Sequence, residues 1–109
     1  MGIKRVAQVI GVKPDQIHEY ERIHREVWPG VLDAISRHNI RNYSIFRDGD
    51  RLLSYFEYVG NDYEADMAAI AADSTTREWW THTDPMQVPD ADRQPGEWWK
   101  VIPEVFHTD

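Results

Sequence analysis

The sequence predicts an α+β domain with one antiparallel sheet, on three observations. Short β-branched or aromatic runs and helix-period runs follow one another as strand, helix, strand, strand, helix, strand. The two middle strands flank Asp48-Gly49, a hairpin signal between apolar and aromatic runs. Glycine and proline punctuate element ends instead of gathering in a linker, so residues 1–109 read as one domain without internal repeats.

Residues 4–12, KRVAQVIGV, are β-branched and are stopped by Pro14-Asp15, which gives the first strand. From Pro14 to about Asn39 the pattern is helical, with Ile17, Tyr20, Ile23, His24, Val27, Val31, Leu32 and Ile35 at intervals of three and four. Pro29 lies inside this run, lacks the donor for the carbonyl of Arg25 and clashes with that turn, so a kink or break is expected near Trp28. Strands two and three are expected at about 41–47 and 51–59.

Asn61 with Glu64 reads as a capping box, opening a helix with the apolar stripe Tyr63, Met67 and Ile70 and ending near Asp73. Thr75 with Glu78 repeats that signal, which predicts a short further helix over TTREWWTHTD, closed before Pro85. PMQVPDADRQPG is loop-rich. EWWKVIPEVFH is strand-like, apolar on both faces and interrupted by Pro103, which suits an edge strand or a segment packed against a partner chain.

This order is the ferredoxin-like split βαβ plan. Helices cover one face of such a sheet. The two-sided apolarity of strand three, with Leu52, Phe56 and Tyr58 on one side and Leu53, Tyr55 and Val59 on the other, predicts that a homodimer covers the second face.

At 109 residues and 12.8 kDa the chain can bury a single core, so a site must lie in a shallow cleft or be completed by a second subunit. Nineteen acidic against twelve basic side chains give a net charge of −7, which disfavours nucleic acid and anionic membrane partners. Without cysteine there is no disulfide framework, thiolate nucleophile or Cys-ligated zinc. No signal-like or spanning apolar run is evident, and a cytoplasmic location is expected.

Tyr20 and His24, one helical turn apart, can project into one cavity. Histidine gives and takes protons near neutral pH, and a phenol can orient a hydroxyl. The plainer alternative is that both border the core. Adjacent residues Trp79 and Trp80 point about 100° apart on a helix, so one indole packs inward while the other lies over a cleft or interface. A flat indole face with one N–H suits a pyranose ring, although packing alone could also explain the pair. Trp98-Trp99 reads as packing.

Glu21 with His24 and Glu104 with His107 each form Glu-x-x-His, but carboxylate metal bundles need such motifs on facing helices plus two further glutamates, so no metal is expected. The six glycines are scattered, which removes phosphate-cradling and dinucleotide loops, and no serine lies in a nucleophile elbow. What remains is proton transfer on a polyhydroxylated or aromatic ligand.

EYERIHREVWPGVLDAISRHNIRNYSIF, then EWW after the second helix, then a tail in EVF resemble the L-rhamnose mutarotase family. The combination E-Y-x-x-x-H-x-x-x-W-P, H-x-x-x-N-Y and W-W carries the resemblance, which spans nearly the whole chain. It implies a cytoplasmic ferredoxin-like homodimer without cofactor or metal that interconverts the anomers of L-rhamnose or a related 6-deoxy sugar such as L-fucose. By the same resemblance His24 matches the family's proton donor, and Tyr20, Tyr43, Trp79 and Trp80 match sugar-binding positions. The segment between Pro85 and Trp99 departs most from the family pattern.

Opening a pyranose ring needs a proton delivered to the ring oxygen while a base takes one from the anomeric hydroxyl. Tyr43, Asp84, Glu104 or a water could each complement His24. A cofactor-free monooxygenase or haem degrader is the alternative on the same architecture, and a non-catalytic dimeric binding module is a third reading.

Overall fold

The computed structural model describes residues 2–109. Its elements are β1 (Lys4–Val12), α1 (Ile17–His24), α2 (Pro29–Arg37), β2 (Ile40–Asp48), β3 (Arg51–Tyr58), α3 (Tyr63–Ala72), α4 (Ser74–Thr83), β4 (Gln87–Val88) and β5 (Lys100–Ile102). Single 3-10 turns at Pro14–Gln16 and Asp84–Met86 lead into α1 and β4.

The sheet runs β2-β3-β1-β4, every pair is antiparallel, and β5 joins β1 on the same edge as β4. An α+β chain with this order is consistent with the ferredoxin-like plan, with one departure. The fourth strand is in two pieces: Gly11 and Val12 face Val88 and Gln87, while Ala7 to Val9 face Ile102 to Lys100, and residues 89–99 loop out between them. The long tail strand expected over EWWKVIPEVFH is thus reduced to three paired residues. Pro103 has no N–H to continue the ladder, and Val105 and Phe106 lie beyond it, 94% and 79% exposed.

Strand alternation places Leu52, Ser54, Phe56 and Tyr58 of β3 on the helix side, all buried. Opposite them on β1 stand Ile10, Gln8, Val6 and Lys4. The core splits into two clusters along the sheet. Val6, Ile40, Phe56 and Tyr58 pack with Tyr63, Met67 and Ile70, whereas Ile10, Val12, Tyr20 and Leu52 pack with Ile17, Ile45, Met86 and Trp99. Each fully buried aliphatic or Phe side chain among these contributes about 1.5–3 kcal/mol by leaving water, and the partly buried ones around them contribute less.

The helical run of 14–39 is broken in two, with residues 25–28 between α1 and α2. Proline pushes its predecessor out of the helical region, and Trp28 is accordingly extended (φ −59°, ψ 137°), leaving Pro29 at the first turn of α2 where its missing N–H costs nothing. Gly30 then lets α2 lie against α4, since a Cβ there would come within 2.8 Å of the Thr75 methyl.

The caps differ from the sequence expectation. Asp62, not Asn61, caps α3 by accepting from the Ala65 N–H at 3.1 Å. Asp73, not Thr75, caps α4, accepting from both the N–H and the hydroxyl of Thr76 at 2.9 Å. A carboxylate just ahead of the first turn satisfies an orphan N–H and also faces the positive end of the helix dipole. Asp73→Ala is expected to cost about 1–2 kcal/mol in urea unfolding; an unchanged midpoint would rule the cap out as a stabilising contact.

Candidate active site

Tyr20 and His24 stand on the inward stripe of α1 with their rings stacked, centroids 4.1 Å apart and planes 24° apart. The edge of His24 meets Trp79 of α4 at 5.3 Å, and Trp79 in turn meets Trp28 at 5.1 Å. Trp28 also meets His82 edge-on at 5.6 Å. The ring stripe of α1 therefore continues across the helix break into α4. Trp79 is buried, and Trp28 serves as its packing partner.

His24 Nδ1 lies 2.6 Å from the carbonyl oxygen of Tyr20. A carbonyl can only accept, so Nδ1 carries the proton and Nε2 of the neutral ring keeps a free lone pair. Burial disfavours the imidazolium and lowers the His24 pKa, while the bond to the Tyr20 carbonyl acts in the opposite sense. The result is a neutral imidazole of fixed tautomer, held between a phenol and an indole.

Tyr43 reaches the helix side of the sheet through a bulge. The β2–β3 register shifts between Arg41 and Ser44, Asn42 takes a left-handed conformation (φ 51°), and its side-chain amide donates to Glu57 at 2.8 Å. The Tyr43 ring then contacts Phe56 at 5.5 Å. Burial pushes the Tyr43 hydroxyl up to about 12, so it stays protonated and can donate a hydrogen bond, although the residue as a whole is 41% exposed. Burial also drives the Tyr20 hydroxyl well above the usual phenol range; the hydrogen bond from Gln87 opposes this and the nearby Tyr43 adds to it.

Between the two apolar clusters lies a polar row. Ser54, fully buried, donates to Gln8 Oε1 at 3.3 Å. By register this pair lies between the Ile10–Leu52 row, on which Tyr20 packs, and the Val6–Phe56 row, on which Tyr43 packs. Gln87, also buried, bonds the Tyr20 hydroxyl at 3.3 Å and accepts from the Trp98 indole N–H at 2.8 Å. Ser54, Gln8 and Gln87 escaped the sequence reading, and Trp98 was expected there only to pack. A serine and glutamines at inward positions of otherwise apolar strands were the available signal.

Trp80 is not brought to this cluster. It points to the other side of α4, 38% exposed, and lines an open groove of about 650 Å³ with Ala71, Arg77 and Asp84. A second groove, about 380 Å³, runs between α1 and α4 past Glu19, Ile23, Trp28 and Trp79. Burial raises the Asp84 pKa, but this carboxyl belongs to the Trp80 groove. Glu104 is held below the usual carboxylate range by Arg5 at 2.6 Å, and Glu21 likewise by Arg47. Among the described residues no three metal-ligating side chains converge.

The family model described as L-rhamnose mutarotase matches residues 5–108. An L-rhamnose mutarotase of Oceanobacillus iheyensis is 32% identical over 107 residues, covering 98% of this chain and all of the relative. One from Pectobacterium atrosepticum is 36% identical over 105 residues, covering 96% of this chain and 98% of the relative. A crystal structure of an L-rhamnose mutarotase from Formosa agariphila shares the fold, with a TM-score of 0.76 at 20% identity over 97% of this chain and 99% of that one. Because both the family model and these relatives span nearly the full length, strands and ring-bearing helices alike, the chain belongs to the L-rhamnose mutarotase family of anomer-interconverting isomerases.

Proposed function

We propose that the protein interconverts the α and β pyranose anomers of L-rhamnose, or of a related 6-deoxy sugar such as L-fucose, with His24 as its acid–base group. The observation that carries this reading is the His24 ring itself: Nδ1 is tied to the Tyr20 carbonyl, which leaves Nε2 as the one proton acceptor, stacked on Tyr20 and flanked by Trp79.

In the forward direction Nε2, which carries no proton in this tautomer, takes the proton of the anomeric hydroxyl, and His24 becomes the expected proton donor when it returns that proton on closure. The C1–O5 bond breaks, its electron pair goes to the ring oxygen, and the anomeric oxygen becomes the aldehyde carbonyl. A donor delivers a proton to O5, rotation about C1–C2 exposes the other carbonyl face, and closure reverses each transfer. Tyr43, held protonated by burial, is suited to hydrogen-bond O5 and orient the group that protonates it, since burial disfavours outright loss of its own proton. Tyr20 and Tyr43 offer hydroxyls to the sugar rim, and Trp79 offers an apolar wall. Trp80 belongs to the sugar-binding set only by its match to the family motif, since its indole lies on the opposite side of α4 from His24.

Saturation-transfer or exchange NMR on L-rhamnose tests the activity, and anomer exchange unchanged by added protein would sink it. The pH profile tests the assigned base. Since burial lowers the His24 pKa, the reactive neutral form persists below the ordinary histidine value of 6.5. The rate should be flat through neutral pH and fall only as pH drops through that lowered value. An acid limb above 6.5 would contradict the assignment.

Homodimer formation belongs to the same proposal. Phe46, Leu53 and Val9 form a row across β2, β3 and β1 on the face away from the helices, with Phe46 62% and Leu53 41% exposed. A second sheet laid over this row would bury it, and the exposed Val105-Phe106 tail could then reach the partner. Residues 1–109 then act as one catalytic domain in the cytoplasm, in keeping with a sugar-catabolic family. Among the described residues no helix is long and apolar enough to cross a membrane.

A further inference from the structure

We propose that Gln87 and Trp98 are positioning residues that hold the Tyr20 hydroxyl so that its proton is offered to a sugar oxygen. The inference rests on the reading above that Tyr20 touches the sugar, and it goes beyond it in giving the loop of residues 89–99 a part in catalysis.

The direction of the hydrogen-bond chain follows from donor inventory. The indole N–H of Trp98 can only donate, so the Gln87 atom 2.8 Å away must be the amide oxygen. That fixes the amide: its NH₂ faces the Tyr20 oxygen at 3.3 Å and can only donate to it. The Tyr20 oxygen therefore has its acceptor role filled by Gln87, and its own hydrogen is left for another acceptor. No protein group accepts it among the described residues. Tyr20 is only 4% exposed, and a sugar oxygen that reaches its hydroxyl is the acceptor proposed for that hydrogen.

The chain's outer end is firmly anchored. Gln87 is 7% exposed and sits opposite Val12 on the helix side of the sheet. Arg51 holds Asp90 through two bonds of 2.7 and 3.0 Å, and Lys100 holds Asp92 at 2.7 Å. Arg93 donates to the carbonyls of Glu97 and Asp90, folding the loop back on itself. Trp99 packs into the Ile10–Tyr20–Leu52 cluster, so the neighbouring Trp98 is delivered at Gln87 rather than left free to wander. Splitting the fourth strand in two is what brings Trp98 beside Gln87, eleven residues away.

A double-mutant cycle on the whole protein, read by exchange NMR on L-rhamnose, tests this. Trp98→Phe keeps the ring and removes the donor; Gln87→Met keeps the bulk and removes both bonds. Each is expected to lower kcat/KM by about 2–10-fold, the span of one ordinary hydrogen bond. Each loss is expected to vanish in a Tyr20→Phe background, which a purely structural role would not produce. Gln87→Glu should be worse than Gln87→Met, with the deficit growing as pH rises and the carboxylate ionises, because a carboxylate accepts the Tyr20 proton instead of leaving it for the sugar. If Tyr20→Phe lowers kcat/KM while Trp98→Phe and Gln87→Met do not, the positioning role is overturned and Tyr20 keeps its place. Losses that persist undiminished in the Tyr20→Phe background also overturn it. An unchanged kcat/KM for Tyr20→Phe itself would remove the sugar-binding reading of Tyr20, and the inference with it.

Discussion

His24→Ala is expected to slow protein-dependent anomer exchange of L-rhamnose by about 10²–10⁴-fold, the range that one positioned acid–base group supplies. The size of the loss follows from geometry. Nε2 is the only acceptor on a ring whose other nitrogen is committed to the Tyr20 carbonyl. Stacking on Tyr20 and the edge contact with Trp79 restrict the ring's rotation, so little orientation has to be found when sugar arrives. His24→Asn is the more instructive variant, because an amide can occupy part of the site but cannot cycle a proton near neutral pH. Exchange NMR with a circular-dichroism check of the fold would read both variants. Full activity in His24→Ala would refute the role assigned to this residue.

Trp79→Ala should unfold most readily, at a cost of about 3–5 kcal/mol, because a buried indole is removed and its neighbours cannot close the gap. Those neighbours are His24, at the end of α1, and Trp28, in the break before α2. The variant is therefore expected to lose activity as well as stability. Trp80→Ala gives the contrast. Its indole is 38% exposed over an open groove, so the stability change should stay within about 1 kcal/mol. Urea denaturation separates the two, and equal losses of stability at both positions would contradict the inward and outward assignment of the pair. Exchange rates for folded Trp80→Ala then report directly on whether this indole contacts the sugar.

The Pro29 break shows how local rules were enough in some places. Proline's effect on its predecessor and its fit to a first helical turn are properties of adjacent residues, so a break near Trp28 could be read without knowing what α2 packs on. The Asp48-Gly49 signal likewise placed the hairpin, with Gly49 at φ 61°. The caps were read one or two residues away from their true positions, because Asn61 and Thr75 had the right spacing but Asp62 and Asp73 had the backbone geometry. Cap choice depends on where the chain leaves the preceding element, which tertiary packing decides.

The order of strands and helices, the ring stripe of α1, the pairing of Tyr20 with His24 one turn on and the family itself were determined by the sequence alone, since each depends on periodicity or on residues close along the chain. Tertiary structure alone decided that Trp79 and not Trp80 joins His24, that a left-handed Asn42 turns Tyr43 inward, and that the fourth strand divides so that Trp98 reaches Gln87. These facts depend on which way a helix face is rotated, where a register slips and how far a loop extends. Such choices are settled by contacts between residues far apart in the chain, and no local pattern encodes them.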